Sequence, residues 1–277
     1  MNTPRPVGAP IDPRRYRYWL SEFAGYRHQI TEDRIDRWFH QFQSRHKDLA
    51  ARVLDCVDFI GHEQMFKAFR SLLSSIDGWS IDPAQRRGRW CFVAFSTSAG
   101  ESGDEMLYKF RVANSLSSNK FNDLFIHKSE LMRAQLGLKD TVVFVDDFSG
   151  TGQQACDTWR ELQELLPGEP RILLFLVAAS HAAVKRVKAE TDICCIPHFI
   201  LHDSENIFSD RCCHFTNEDR TQLLRYCSKA DARNPKGFGE CGFVVVFSHS
   251  CPNNSIPILH ACHQNWEGLF RRYDNFN

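Results

Sequence analysis

Two adjacent carboxylates, Asp146 and Asp147, follow the apolar run 142–145 and precede a loop of small residues that opens a helical pattern. Ligands in open α/β sheets bind at the carboxyl ends of strands. The backbone N–H groups of a loop at the start of a helix form a cradle for a phosphate, and glycines let the backbone approach it closely. The sequence therefore predicts a phosphate-binding loop made of Ser149, Gly150, Thr151, Gly152 and Gln153.

The two acids suit a ribose whose 5′-phosphate lies in that loop, because carboxylates placed just before the cradle can accept hydrogen bonds from the 2′ and 3′ hydroxyl groups. Like charges at adjacent positions repel each other, so a purely structural role for both is costly. The alternative is a solvated turn with an Asp cap. We favour the first interpretation, because strand, acids, loop and helix occur in the order that this chemistry needs. Asp146 and Asp147 are the predicted catalytic residues.

The elements that must position this segment alternate between strand and helix. Short apolar runs predict strands at residues 90–95, 124–126, 141–145, 172–179 and 193–201, with helical patterns between most of them. This alternation predicts a parallel sheet with helices on both faces. We therefore expect an α/β fold with a mostly parallel, twisted sheet in residues 89–277.

The sequence of residues 1–88 predicts a helical region that precedes the sheet in the chain. Thr31 is a suitable N-cap, and Ile35, Trp38, Phe39 and Phe42 recur at the spacing of one buried helix face. After the sheet, a C-terminal extension contains a predicted strand at 243–247 and a predicted terminal helix at 264–273. We expect two parts, 1–88 and 89–277.

The C-terminal extension offers weaker candidates. Its glycines at positions 237, 239 and 242 match G-x-G-x-x-G, but they precede a strand and so fail as a dinucleotide fingerprint. The residues that follow the strand at 243–247 are polar, and an Asn amide there could read the edge of a base. Turn formation around Pro252 is the alternative. The candidate base or acceptor contacts are His249, Asn253 and Asn254.

Other functions find little support in the composition. The 34 basic side chains balance 34 acidic ones, so no global nucleic-acid footprint exists, although N-terminal arginines leave a local one open. No apolar run reaches the length of a membrane span, and residues 1–17 lack the apolar core of a secretory signal. Eleven cysteines without C-x-x-C favour reduced thiols and a cytoplasmic location. No metal site is predicted, because the His and Cys spacings do not fit one.

The segment 146–152, after four apolar residues, resembles the ribose-phosphate signature of type I phosphoribosyltransferases. It departs from that signature at Ser149, where an aliphatic residue is usual, and at Gly150, where Thr or Ser is usual. Together with the helical N-terminal region, the loop at 95–103 and the tail at 252–259, the chain resembles phosphoribosyltransferase-like effectors of bacterial conflict systems, some of which are encoded beside retron reverse transcriptases. The resemblance implies an antiviral toxin that is restrained until infection.

Several further expectations come only from this resemblance. It implies a nucleotide substrate of the PRPP, NAD or NTP class, with Mg²⁺ bound through the substrate diphosphate. It also implies a restraining complex with a reverse transcriptase and its RNA/DNA product, and it leaves the oligomeric state open. The resemblance also assigns a loop to the diphosphate, and this loop contains Ser98, Ala99, Gly100, Glu101, Ser102 and Gly103. The alternative is that this loop is only a flexible connection between a strand and a helix.

One feature of the sequence limits the resemblance. Base-transferring members of the family carry a flexible hood before the acidic strand, whereas here only residues 128–140 separate the predicted strands. A hood shields the reacting centre from water, and shielding decides between transfer and hydrolysis. We therefore expect cleavage of a nucleotide or transfer to an unusual acceptor. The alternative is a non-catalytic module that senses a nucleotide or binds nucleic acid and reports to a partner.

Overall fold

The computed structural model describes residues 11–95, 102–263 and 266–272. The chain divides into two compact units. The terminal unit comprises Met1–His62 and Asp203–Asn277, and the central unit comprises Glu63–His202. The predicted boundary between residues 88 and 89 lies within the central unit. This boundary stays a prediction.

The secondary structure alternates as the patterns predict in the middle of the chain. The first elements are α1 (Pro13–Glu22), α2 (Glu32–His40), α3 (Lys47–Asp55) and β1 (Asp58–Ile60). The next are α4 (His62–Ser74), β2 (Trp90–Ala94), α5 (Ser102–Ala113), β3 (Thr141–Ser149), α6 (Gln153–Leu165), β4 (Arg171–Ser180), α7 (His181–Glu190) and β5 (Cys194–Leu201). The last are α8 (Asn217–Ala230), β6 (Val245–Phe247), α9 (Pro257–His260), β7 (Cys262–His263) and β8 (Trp266–Glu267).

The central unit contains a four-stranded sheet in the order β2-β3-β4-β5, and every neighbouring pair is parallel. Strands β3 and β4 lie in the middle and are almost entirely buried. One face packs against α6, where Phe144 and Leu174 share a core with Trp159. A parallel sheet needs both faces covered, which explains why these strands read as continuous apolar runs. The predicted α/β fold class is confirmed.

The terminal unit has its own core, to which both ends of the chain contribute. Helix α2 begins where predicted, because the Thr31 side chain accepts a hydrogen bond from the Arg34 N–H group. Its buried face includes Trp38, whose indole N–H donates to the Ile258 carbonyl at 2.7 Å. Phe42 packs in the same core at 5.3 Å from the Trp266 ring.

Three predicted elements differ in the structure. Residues 124–126 form only an isolated bridge between Phe125 and Phe92, because a 3-10 turn at Asn119–Leu124 ends there. The strand predicted at 243–247 is shorter and pairs with β1 instead of joining the four-stranded sheet. The helix predicted at 264–273 is wrong, since β8 pairs antiparallel with β7 and non-helical residues follow it.

The ion pair between Arg52 and Asp219 gives a prediction about stability. The Arg52 guanidinium donates two hydrogen bonds to the Asp219 carboxylate, at 2.6 and 2.9 Å. These bonds lower the pKa of Asp219, and burial, which raises it, only partly opposes them. Together with bonds from Thr216, they lower the pKa of Asp219 to about 2. Because this value lies below that of the unfolded chain, the stabilisation is complete above about pH 4 and is lost as the pH falls toward 2.

We expect Asp219→Asn to lower the free energy of unfolding by about 2 kcal/mol at pH 7. The variant should also lose less stability than the wild type between pH 4 and pH 2, as measured by urea denaturation. The control is Asp210→Asn, because Asp210 pairs with Arg220 at 2.9 Å but is 98% exposed, and such pairs contribute under about 1 kcal/mol. Equal losses in the two variants would contradict the prediction.

Candidate functional site

The two adjacent acids lie within a strand, and this separates them. Strand β3 continues past Val145 and pairs with β4 as far as Ser149, opposite Ala179. Because successive residues of a strand point to opposite faces, Asp146 lies on the face of Phe144, and Asp147 lies on the other. Asp146 is only 5% exposed, whereas Asp147 is partly exposed.

The buried acid has a defined partner within its own segment. The Asp146 Oδ1 atom accepts a hydrogen bond from the backbone N–H of Asp147 at 2.9 Å. This bond fixes the Asp146 carboxylate against the backbone at the end of β3. Asp147 therefore has the more accessible carboxylate. Asp146 is placed to orient the part of the strand that carries Asp147.

A tight turn connects β3 to α6. Gly152 is the N-cap of α6 and has a left-handed conformation with φ of 72°. A Cβ atom at this position would lie 2.9 Å from the Ala183 carbonyl oxygen. The close approach of the turn to α7 therefore requires glycine. Since glycine offers no side chain, the N-cap residue itself makes no side-chain hydrogen bond to α6.

Ser180, at the end of β4, holds this turn in place. Its hydroxyl donates to the Gly150 carbonyl at 2.6 Å and accepts from the Ala183 N–H at 2.8 Å. The peptide after Gly150 is trans, so its N–H group, which belongs to Thr151, points away from Ser180. Within the described part of the chain, the N–H groups of Thr151 and Gly152 donate to no protein acceptor.

These N–H groups and the start of α6 are the groups of the predicted anion cradle. The aligned peptides of the helix give its N-terminus a partial positive charge, which favours a bound anion. The Gln153 side chain donates to Asp157 at 2.6 Å, and its backbone N–H contacts the Thr151 hydroxyl at 3.3 Å. The cradle therefore consists mainly of backbone groups, and the geometry suits a phosphate.

Ser180 is not among the predicted site residues, because the predicted strand at 172–179 ends one residue before it. The available signal was a serine between an apolar run and a helical pattern, which is the N-cap position of α7. The pair of His181 and His202, which follow the ends of β4 and β5, was not predicted as part of the site either. Their ring centroids are 5.7 Å apart. Both belong to the carboxyl edge of the sheet.

The other sequence-predicted residues are less informative about this site. Of the predicted diphosphate loop, Ser98, Ala99, Gly100 and Glu101 lie outside the described residues, while Ser102 and Gly103 begin α5. His249, Asn253 and Asn254 belong to the terminal unit. The Asn254 amide donates to the Phe238 carbonyl at 3.0 Å, so it stabilises the local chain. His249 is 9% exposed.

The role of Ser180 can be tested through the turn that it holds. Ser180→Ala removes the cap of α7 and the hydrogen bond to the Gly150 carbonyl, so we expect a stability loss of about 1–3 kcal/mol. We also expect at least about tenfold weaker phosphate binding, because the turn loses its anchor. Thr216→Ala is the control, since it removes the N-cap of α8 in the terminal unit. Thermal unfolding and phosphate titration of both variants check the prediction, which fails if both variants bind equally well.

The described residues contain no group of three or more His, Cys, Asp or Glu side chains placed to hold a metal ion. All eleven cysteines are free thiols. Among the described residues, no helix has both the length and the apolar character that crossing a membrane requires.

The order of strand, acids, glycine turn and helix within a parallel sheet places the chain in the phosphoribosyltransferase-like class. The family model PRTase-CE matches residues 35–272, so the chain belongs to the PRTase-CE family. The match includes residues 146–152, the whole central unit and most of the terminal unit. A comparison with curated proteins gave no match.

Proposed function

We propose that this protein is an enzyme that acts at the anomeric carbon of a ribose 5-phosphate unit in a nucleotide of the PRPP, NAD or NTP class. The observation that carries the proposal is the turn before α6, where the backbone N–H groups of Thr151 and Gly152 are available to an anion. Family membership supports phosphoribosyl chemistry as the reaction class.

Each part of the site has a proposed role. The N–H groups of Thr151 and Gly152, with the start of α6, bind the 5′-phosphate. Asp147 accepts hydrogen bonds from ribose hydroxyls and offsets the positive charge that develops on the sugar ring as the bond to the leaving group breaks. Asp146 positions this carboxylate through its bond to the Asp147 N–H group.

Mg²⁺ is part of the proposal as a companion of the substrate. Magnesium prefers oxygen ligands and often binds through substrate phosphates with one or two carboxylates. Asp147 offers such a carboxylate at the edge of the site, which fits this mode of binding. The ion would neutralise the negative charge of a diphosphate leaving group.

The direct test is turnover by the purified protein. We expect incubation with PRPP, NAD or nucleoside triphosphates, with Mg²⁺ and with any activating partner, to release pyrophosphate or a free base. Release should depend on the 5′-phosphate, so the matching nucleosides should not react. Binding and turnover that do not distinguish nucleotides from nucleosides would contradict the proposal.

For the biological role, we propose an antiviral effector that acts as a toxin in the bacterial cytoplasm. The support is the resemblance of the segment 146–152 and its flanking regions to effectors of conflict systems, and the free thiols suit a reducing compartment. A reverse transcriptase and its RNA/DNA product would form the restraining complex. Expression with and without the neighbouring genes tests this role, because toxicity should appear only when the restraint is absent or released.

A second candidate function is nucleotide sensing without turnover. The observation that favours it lies before β3, where described residues 114–140 form turns and 3-10 segments but no hairpin that could serve as a hood. A site open to water is less suited to protecting a reactive intermediate. A sensor would be stabilised by its ligand against thermal unfolding without releasing pyrophosphate or base.

A further inference from the structure

The terminal unit contains a cavity of about 630 Å³ that the proposed function does not use. It lies between the end of α8, the segment after it, and the chain around α9 and β7. Its volume is in the range of small-molecule sites, about 300–1,000 Å³. The lining residues that matter for the argument are Lys229, Asp231, Arg233, Asn253, His260 and Arg272.

The charge of this cavity is positive. Lys229, Arg233 and Arg272 line it, and Asp231 is the only acid among its lining residues. Within the described ranges, neither Lys229 nor Arg233 forms an ion pair. Lys229 instead lies over the Tyr226 ring, 5.4 Å from its centroid. Two cations without acid partners beside one cavity attract an anion.

The one acid is already engaged by the backbone. The Asp231 carboxylate accepts hydrogen bonds from the N–H groups of Arg233, at 2.8 Å, and Asn234, at 3.2 Å. Burial opposes the charged form of Asp231, but these bonds outweigh it and lower the pKa of its carboxyl group. Asp231 therefore stays charged as part of a turn, and it does not pair with Lys229 or Arg233.

The cavity also presents a hydrogen-bond acceptor. The Nε2 atom of His260 lies 3.1 Å from the Ser255 carbonyl oxygen. Since a carbonyl only accepts, Nε2 carries the proton, and the neutral ring then has an acceptor at Nδ1. Burial lowers the pKa of His260 to about 4, so the ring is neutral at physiological pH. A ligand hydroxyl group is a suitable donor to Nδ1.

We propose that this cavity binds a small sugar phosphate, whose phosphate contacts Lys229 and Arg233 and whose hydroxyl group donates to His260. The cations supply charge-assisted bonds to the phosphate oxygens. Asn253 also lines the cavity. This second site depends only on the terminal unit, so it does not rest on the proposed function of the central unit.

The test is calorimetric titration of the full chain with ribose 5-phosphate, inorganic phosphate and ribose. We expect the double variant Lys229→Gln with Arg233→Gln to bind ribose 5-phosphate at this site about 10- to 100-fold more weakly. Ribose 5-phosphate should also protect residues 228–234 from hydrogen exchange in the wild type and not in the double variant. Arg225→Gln is the control, because Arg225 is exposed on α8 and does not line the cavity.

The outcomes separate this proposal from the one for the central unit. If both are right, the wild type shows two binding events, and the double variant retains the one that Ser180→Ala weakens. If only the cavity binds, the wild type shows one event, which is weakened in the double variant. An unchanged isotherm in the double variant overturns the proposal, and so does inorganic phosphate binding as tightly as ribose 5-phosphate.

Discussion

Asp147→Asn should reduce turnover at least about 100-fold, because it removes the negative charge that we propose faces the reacting sugar while keeping the shape of the side chain. The effect on folding should be small, about 0.5 kcal/mol or less, since Asp147 is partly exposed at the end of β3. In cells, the same variant should lose toxicity. The measurements are release of pyrophosphate or base and growth after induced expression.

Asp192→Asn is the matched control for this variant. Asp192 is an exposed aspartate in the same unit, between α7 and β5, and the same substitution there should leave turnover unchanged. Asp146→Asn gives a second comparison, because an amide oxygen can still accept the bond from the Asp147 N–H group. Undiminished activity in Asp147→Asn would refute the assignment of the site.

Gly152→Ala should lower stability by about 2–3 kcal/mol and abolish phosphate binding by the turn. The left-handed conformation costs an L-residue about 1–2 kcal/mol. The new Cβ atom would also lie 2.9 Å from the Ala183 carbonyl oxygen, which belongs to the first turn of α7 and cannot retreat easily. The turn must therefore move away from Ser180, and its N–H groups lose their arrangement.

Gly137→Ala is the control for this second variant. A Cβ atom at position 137 meets no atom within 4 Å, and the backbone there is not in the left-handed region. We expect a change of less than about 1 kcal/mol and normal phosphate affinity. Urea denaturation and phosphate titration of both variants decide the matter. If Gly152→Ala binds phosphate like the wild type, the turn is not the anion cradle.

The site could be located from the sequence because its parts are contiguous. The apolar strand, the acids, the glycines at 150 and 152, and the helix from Gln153 follow one another, and each has a local signature. The phosphate-binding roles within this segment stay predictions. The parallel α/β class could also be predicted, because alternating strands and helices leave few other arrangements.

The arrangement of the two acids could not be predicted in this way. The sequence predicted a strand that ends before Asp146 and Asp147, with both carboxylates bound to the same ligand. Pairing with β4 extends β3 to Ser149 and thereby turns Asp146 and Asp147 to opposite faces. Where a strand ends depends on the length of its neighbour, which local residue patterns do not encode.

The sequence alone determined the fold class, the helix that begins after Thr31 and the segment that carries the candidate chemistry, because these depend on residue type and period over a few turns or strands. Tertiary structure alone decided the bond from Ser180 to Gly150, the pairing of β6 with β1, and the strand pair that replaces the expected terminal helix. The first two of these features join residues far apart in the chain. Their stability comes from packing and hydrogen bonds that exist only after the chain has folded.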